Sequence, residues 1–299
     1  MGLPPLLEPV PHSVGLNRPL CALPALACDS HMHIFDARFA PSPHWPRTPP
    51  EAPVAAYRQL QHRLGTARTV VVTPSTYGTD NACTLDALDQ LGDSARGVAV
   101  VDQQVSNAEL GRLAARRVRG LRVNFVSPQS WGMTTEEMLT TLAGKLARHA
   151  DCGGWHIQVF AQPEQIVALE PVLQSLPVLL VIDHMGRIDP AQGVSSEAWD
   201  SLRRLLDRGS TWVKLSGAYM RSAVQGPGYA DTLPLGRALV QAAPERLVWG
   251  SDWPHTTEPQ GTVNDADLVD LLQAWAGTDA AMDRILVDNP ARLYGFPAA

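Results

Sequence analysis

The sequence predicts an α/β protein built as a single (β/α)8 TIM barrel behind a short extended arm. Three observations carry this. Eight short runs of strand character alternate with eight amphipathic segments of helical period. Several runs are apolar almost throughout, as in the stretches TVVVT and VLLVID, which is what a parallel sheet covered on both faces requires. The first strand-to-helix connection lacks the Gly-rich turn that a doubly wound open sheet usually carries there.

Residues 1–26 are rich in Pro and Leu without helical spacing and are expected to form an extended arm; residues 27–299 hold the catalytic barrel. Strands are expected over Cys28–Phe35, Thr69–Thr73, Gly97–Val101, Gly120–Val126, His156–Phe160, Val178–Ile182, Trp212–Ser216 and Leu247–Gly250. Helices are expected over Val54–Leu64, Cys83–Leu91, Ala108–Arg117, Thr135–Arg148, Gln165–Leu173, Glu197–Leu206, Leu233–Gln241 and Asp267–Ala276. No repeat of 20–50 residues and no low-complexity linker divides the chain.

Composition narrows the function. A formal net charge of -6 argues against nucleic acid or an anionic membrane as partner, but not against a small anionic substrate held by a local arginine cluster. The basic residues are almost all arginine, with only Lys145 and Lys214 as lysine. Cys21, Cys28, Cys83 and Cys152 show neither a CxxC pair nor zinc-ribbon spacing, which fits free thiols in a reducing cytoplasm. The N-terminal stretch lacks the features of a signal peptide, and no apolar run reaches the ~18 residues needed to cross a bilayer. A cytoplasmic location is expected; the oligomeric state is not readable.

In such barrels chemistry gathers where strands end. The first strand carries Asp29-Ser30-His31-Met32-His33, and side-chain alternation places His31 and His33 on one side. The sixth ends in Asp183-His184-Met185-Gly186 and the eighth in Gly250-Ser251-Asp252-Trp253-Pro254-His255. Asp252 reads either as a carboxylate reaching into the mouth or as a helix-capping group. His255 is expected in the loop behind the site.

These three motifs, in this order, resemble the amidohydrolase superfamily, as does the closing VDNPARLYGF. Within it, Gly78-Thr79-Asp80-Asn81, the stretch Arg96–Asp102, Arg119–Phe125 and Val181–Arg187 resemble the 2-pyrone-4,6-dicarboxylate lactonase group. Sulfomuconolactone hydrolase, sugar-acid lactonases and a galactarolactone isomerase look like siblings. The likeness runs from about Ala27 to the end.

A lactone carbonyl needs an activated water, a polarised oxygen and an anchored substrate. Asp252 is expected to be the general base, with His31, His33 and His184 polarising the carbonyl; the resemblance implies the same roles. Arginine suits planar capture of a carboxylate or sulfonate, so Arg122 and Arg221 are the expected anchors. Arg47 and Arg187 are further candidates that could equally be solvated loop residues. Ser75, Tyr77, Thr79 and Tyr219 complete the expected substrate set. The resemblance implies that no metal is required; the alternative is one Zn2+ held by His31, His33, His184 and Asp252. Against a two-metal site, Arg122 rather than lysine ends the fourth strand, and His156 begins the fifth.

Three departures bear on the substrate. Phe160 stands where the pyrone lactonases have a tyrosine, and His44 or Trp45 stands in place of another. The stretch Ser216–Arg221 looks more like the sugar-acid and sulfomuconolactone siblings. The expectation is therefore a hydrolase for a small carboxylated or sulfonated lactone. The alternatives are a zinc-dependent hydrolase or decarboxylase, a sugar-acid lactone isomerase, and a barrel that only binds an acid.

Overall fold

The computed structural model describes residues 8–127, 136–224, 226 and 228–298. The expected start of the fourth helix at Thr135 lies outside them. Eight strands run in chain order: β1 (Cys28–Met32), β2 (Arg68–Val72), β3 (Ala95–Ala99), β4 (Val118–Asn124), β5 (His156–Phe160), β6 (Leu179–Ile182), β7 (Thr211–Leu215) and β8 (Leu247–Trp249). All neighbouring pairs are parallel and the sheet order is the chain order. After each strand comes a helix: α1 (Val54–Leu64), α2 (Ala82–Leu91), α3 (Asn107–Ala115), α4 (Glu136–Arg148), α5 (Pro163–Ser175), α6 (Glu197–Asp207), α7 (Leu233–Ala242) and α8 (Asp265–Ala276). The fold is the (β/α)8 TIM barrel that the alternation predicts.

Each helix turns an apolar stripe to the sheet. Leu60, Leu88, Leu110, Leu142, Leu173, Leu202, Leu239 and Leu272, one per helix, are all fully buried. Local chemistry sets the ends. The side chains of Ser106, Ser196 and Asn264 accept a backbone N–H at the starts of α3, α6 and α8, and Gly65 and Gly277 close α1 and α8 in the left-handed region.

Inside the barrel a second apolar layer joins Cys28, Val70, Val72, Val98, Val181, Trp212 and Val248 to Leu293, Tyr294 and Phe296. Leu293 and Tyr294 belong to the short α10 (Asn289–Tyr294), which follows α9 (Asp279–Asp283), and Phe296 lies just beyond it. They plug the end of the barrel where the strands begin, and Arg68 and Arg96 stack on the Phe296 ring at 5.2 and 4.4 Å.

At the opposite end several strands stop earlier than expected. The first was expected to reach Phe35, but His33 donates its backbone N–H sideways to Trp253 O at 2.8 Å and Phe35 pairs with Ala52. The fourth was expected to reach Val126, but the Asn124 side chain accepts from the N–H groups of Val126 and Ser127 and turns the chain. Mouth residues thus leave the ladder to build loops.

Between β8 and β1 the barrel closes by other means. Asp252 N–H donates to His31 O at 2.8 Å, and the Asp29 carboxylate accepts from Ser251 N at 2.9 Å and Ser251 Oγ at 2.6 Å. Gly250 is required here: a Cβ would stand 2.5 Å from His31 Cβ and 2.7 Å from His31 N.

Candidate active site

The strand ends bring His31, His33, His184 and Asp252 together, all 6% exposed or less. His31 Nε2 and His33 Nε2 are 3.4 Å apart, and each lies 3.5 Å from Asp252 Oδ1. His184 Nε2 is 3.9 Å from the same oxygen. Backbone strain marks the loops that present them. His184, Met185 and Arg187 after β6, and Asp252 and His255 after β8, all take positive φ. Such residues cost about 1–3 kcal/mol each and persist only where the surroundings enforce them, typically at functional sites.

Ring partners decide what each imidazole can do. His33 Nδ1 lies 2.7 Å from Val72 O. A carbonyl only accepts, so Nδ1 carries the proton and Nε2 of the neutral ring presents a lone pair to the mouth. His184 Nδ1 is paired with Ser216 Oγ at 2.8 Å. His31 Nδ1 faces Lys214 Nζ at 3.2 Å and Asp183 Oδ1 at 3.3 Å.

Beneath the cluster lies a buried charged layer that sequence reasoning passed over. Asp183 Oδ2 accepts from Arg122 Nε at 3.0 Å and Gln158 Nε2 at 3.1 Å, and Lys214 Nζ donates to Ser30 O at 2.9 Å. Burial raises the Asp183 carboxyl, but the adjoining His31 imidazole and the Arg122 charge outweigh it and hold it well below the usual range. Burial pushes Lys214 down to about 8 and His184 down to about 4, and burial with the Lys214 charge pushes His31 well down. Burial also raises Asp252, but the imidazoles of His184, His33 and His31 more than offset it, so it stays ionised. A lone lysine inside the apolar stretch TWVKLS was the available signal for this layer.

The expected substrate residues divide. Arg122 is buried, with Nε on Asp183 as its one hydrogen bond among the described residues, so its two terminal nitrogens have no partner there. Its guanidinium lies over the Phe160 ring at 4.9 Å, and that of Arg187 over the same ring at 5.3 Å. Phe160, which cannot donate a hydrogen bond, is instead a platform for two cations beside His184, with ring centroids 5.2 Å apart. Arg221 is close enough for its charge to act on Arg187. Ser75 Oγ accepts from Asn124 Nδ2 at 2.6 Å near the end of β4.

Other residues are placed elsewhere. Tyr77 OH accepts from Asp36 N at 3.1 Å, and Thr79 is exposed among surface residues with Asp80. Neither joins the histidine cluster. Tyr219 is buried and donates to Asp252 Oδ2 at 2.6 Å, so its hydroxyl is already committed. Arg47 is exposed, stacks on Trp45 at 5.1 Å, and lines a rim cavity of about 350 Å3 with His12, Pro254, His255 and Glu258.

The donor set also fits a metal ion. His31 Nε2, His33 Nε2 and Asp252 Oδ1 form a triangle with edges of 3.4, 3.5 and 3.5 Å. Tetrahedral ligands at ~2.1 Å from a zinc ion stand about that far apart. The His33 Nδ1 bond to a carbonyl is the usual support for a ligating imidazole.

Residues 28–296 match the amidohydrolase family model, and the chain belongs to that family. It is 36% identical over 289 residues to the 2-pyrone-4,6-dicarboxylate hydrolase of Comamonas testosteroni, covering 93% of each chain. It is 35% identical over 298 residues to the 4-sulfomuconolactone hydrolase of Rhizobium radiobacter, covering 98% of this chain and 97% of the relative. An apo crystal structure from Agrobacterium tumefaciens superposes with a TM-score of 0.83 at 29% identity, covering 94% of this chain and 100% of that one. Among the described residues no helix is long and apolar enough to cross a membrane.

Proposed function

We propose that this protein is a hydrolase that opens the lactone ring of a small anionic substrate, with Asp252 as general base. The observation that carries the reading is the division of the Asp252 carboxylate. Oδ2 is held by Tyr219, while Oδ1 faces three imidazole nitrogens at 3.5 to 3.9 Å. Relatives named for a pyrone dicarboxylate and a sulfomuconolactone support the substrate class.

Asp252 Oδ1 and the bare Nε2 of His33 are both acceptors, 3.5 Å apart. A water between them donates one hydrogen to each and keeps a lone pair for the carbonyl carbon. As that bond forms, Asp252 takes the proton. Lys214 donates to His31 Nδ1, which leaves the His31 proton on Nε2; this N–H, with His184, stabilises the developing oxyanion. Collapse breaks the ring C–O bond, and the proton on Asp252 passes to the leaving oxygen. Arg122 and Arg187 on Phe160, with Arg221 near Arg187, hold the carboxylate or sulfonate. That cationic cluster suits an anion with more than one charged group.

A second reading has one observation in its favour, the metal-sized triangle. There His31, His33 and Asp252, with His184 beside them, would hold one Zn2+, which would supply Lewis-acid polarisation of the carbonyl.

The test is to incubate chelator-treated protein with 2-pyrone-4,6-dicarboxylate and follow the pyrone absorbance, with Asp252→Asn alongside. Turnover in the chelated wild type that falls about 100- to 10,000-fold in the variant supports the first reading. Activity that returns only with added zinc supports the second. If the pyrone is untouched in both cases, 4-sulfomuconolactone is the next substrate, and failure with both removes the lactonase reading.

A further inference from the structure

The carboxylate oxygen of Asp252 that faces away from the imidazoles begins a chain of buried groups. Tyr219, in the tight turn Ala218–Met220 after β7, donates to Oδ2 at 2.6 Å. His255 Nδ1 is 3.1 Å from the Tyr219 oxygen, and His255 Nε2 is 3.1 Å from Asp265 Oδ2. Asp265 is the first residue of α8 and is fully buried, as is the Arg63 side chain of α1, whose charge acts on it. The Asp265 N–H donates to Ser13 Oγ of the arm at 3.2 Å, and Arg63 donates to the same Oγ.

Proton counting fixes the direction of the chain. Tyr219 has one hydrogen, and Asp252 holds it. The Nδ1 of His255 must therefore donate to the Tyr219 oxygen, while Nε2 donates to Asp265. His255 is thus an imidazolium between two acceptors, with Asp265 as its counterion. Other ionisable groups on its open side are Glu258, His12 and Arg47, which line the rim cavity with it.

We infer that Asp265, His255 and Tyr219 form a positioning arm for the general base, fixing Oδ2 of Asp252 so that Oδ1 is the oxygen that takes the proton. The inference rests on the proposed role of Asp252. It makes Tyr219 a positioning residue rather than a substrate contact. It also explains why a tyrosine, a histidine and an aspartate from three separate segments are buried together behind the site. Removing the hydroxyl frees the carboxylate to rotate, which slows the chemical step while the arginine anchors still hold the substrate.

The experiment is steady-state ring opening of whichever lactone the wild type turns over, by Tyr219→Phe, His255→Ala, His255→Asn and the Tyr219→Phe/His255→Ala pair. Tyr219→Phe is expected to lower kcat about 10- to 100-fold with KM changed less than about twofold. His255→Ala should lose a similar factor, and the pair no more than the larger single loss, because both act through one chain. The Asn amide can replace the Nδ1–H donor, so His255→Asn should recover most of the rate. A raised KM with kcat kept in Tyr219→Phe, or losses that multiply in the pair, overturns the inference. If Asp252→Asn stays active, the base reading falls and the arm with it. If Asp252→Asn is dead but Tyr219→Phe keeps full kcat, only the arm falls. A readout independent of turnover is nitrogen NMR of histidine-labelled protein at pH 7. Both His255 ring nitrogens should carry protons, and a bare Nδ1 overturns the proposed direction.

Discussion

His156 shows how one side chain can limit the whole protein. It begins β5, inside the barrel and far from the mouth, fully buried, with no hydrogen-bond partner for either ring nitrogen among the described residues. Its ring fills the space that Gly120 leaves, since a Cβ there would lie 2.4 Å from two ring atoms. Burial, helped by the Lys214 charge, pushes its pKa down to about 3. The unfolded chain binds the proton near 6.5 and the folded chain does not. Stability present above pH 6.5 is therefore lost as the pH falls toward 3, at up to about 1.4 kcal/mol per pH unit from this residue. Urea midpoints measured across that window should fall with acid in the wild type and fall less in His156→Phe. Equal slopes in the two proteins would remove His156 as the cause.

At the scale of elements, the closure of β8 on β1 couples stability to chemistry. Asp252 N bonds to His31 O across the seam, and the Gly250 position touches the His31 backbone. Gly250→Ala must push the two strands apart; overpacking of this kind costs about 1–3 kcal/mol. Because the shift moves His31 against Asp252, turnover should drop by more than the lost folded fraction explains. Denaturant melts and kcat on one preparation check this, and unchanged kcat would uncouple the seam from the site. The elements themselves were legible in the chain. Continuous apolar strands and helical stripes have different periods, and each helix kept its leucine. Strand ends were not, because His33 and Asn124 spend backbone and side-chain bonds on the loops. The histidines and Asp252 stood out as polar groups ending apolar runs. Asp183 and Lys214 were visible one by one and Gln158 was not, but joining the three into one buried layer needs the register between strands. Tyr77 and Thr79 follow β2 in sequence, but Tyr77 is buried against Phe35 with its hydroxyl on Asp36, and after Gly78 the chain leaves Thr79 exposed.

Taken whole, the molecule ties its beginning to its last strand–helix unit. Trp253 Nε1 donates to Pro11 O at 2.8 Å, Val14 N to Val263 O at 2.9 Å, and Leu20 N to Asp270 Oδ1 at 2.7 Å. Arg63 adds bonds to the carbonyls of Val14 and Gly15. Each such bond contributes about 0.5–1.5 kcal/mol. Deleting residues 1–16 should therefore lower the melting temperature by several degrees, and hydrating Asp265 should lower kcat as well. Calorimetry and kinetics on the shortened protein test both, and full kcat would show that the arm is only a brace.

The same tether sets a schedule for synthesis. Residues 8–20 are made more than 200 residues before Trp253, Val263, Asn264, Asp265 and Asp270, five of the residues they bond. Until then the segment has only the partners on and beside α1, Glu51, His62 and Arg63, to hold it. Ribosome-stalled chains ending near residue 240 should be clipped by protease before Ala27, and chains stalled well past residue 290 should resist.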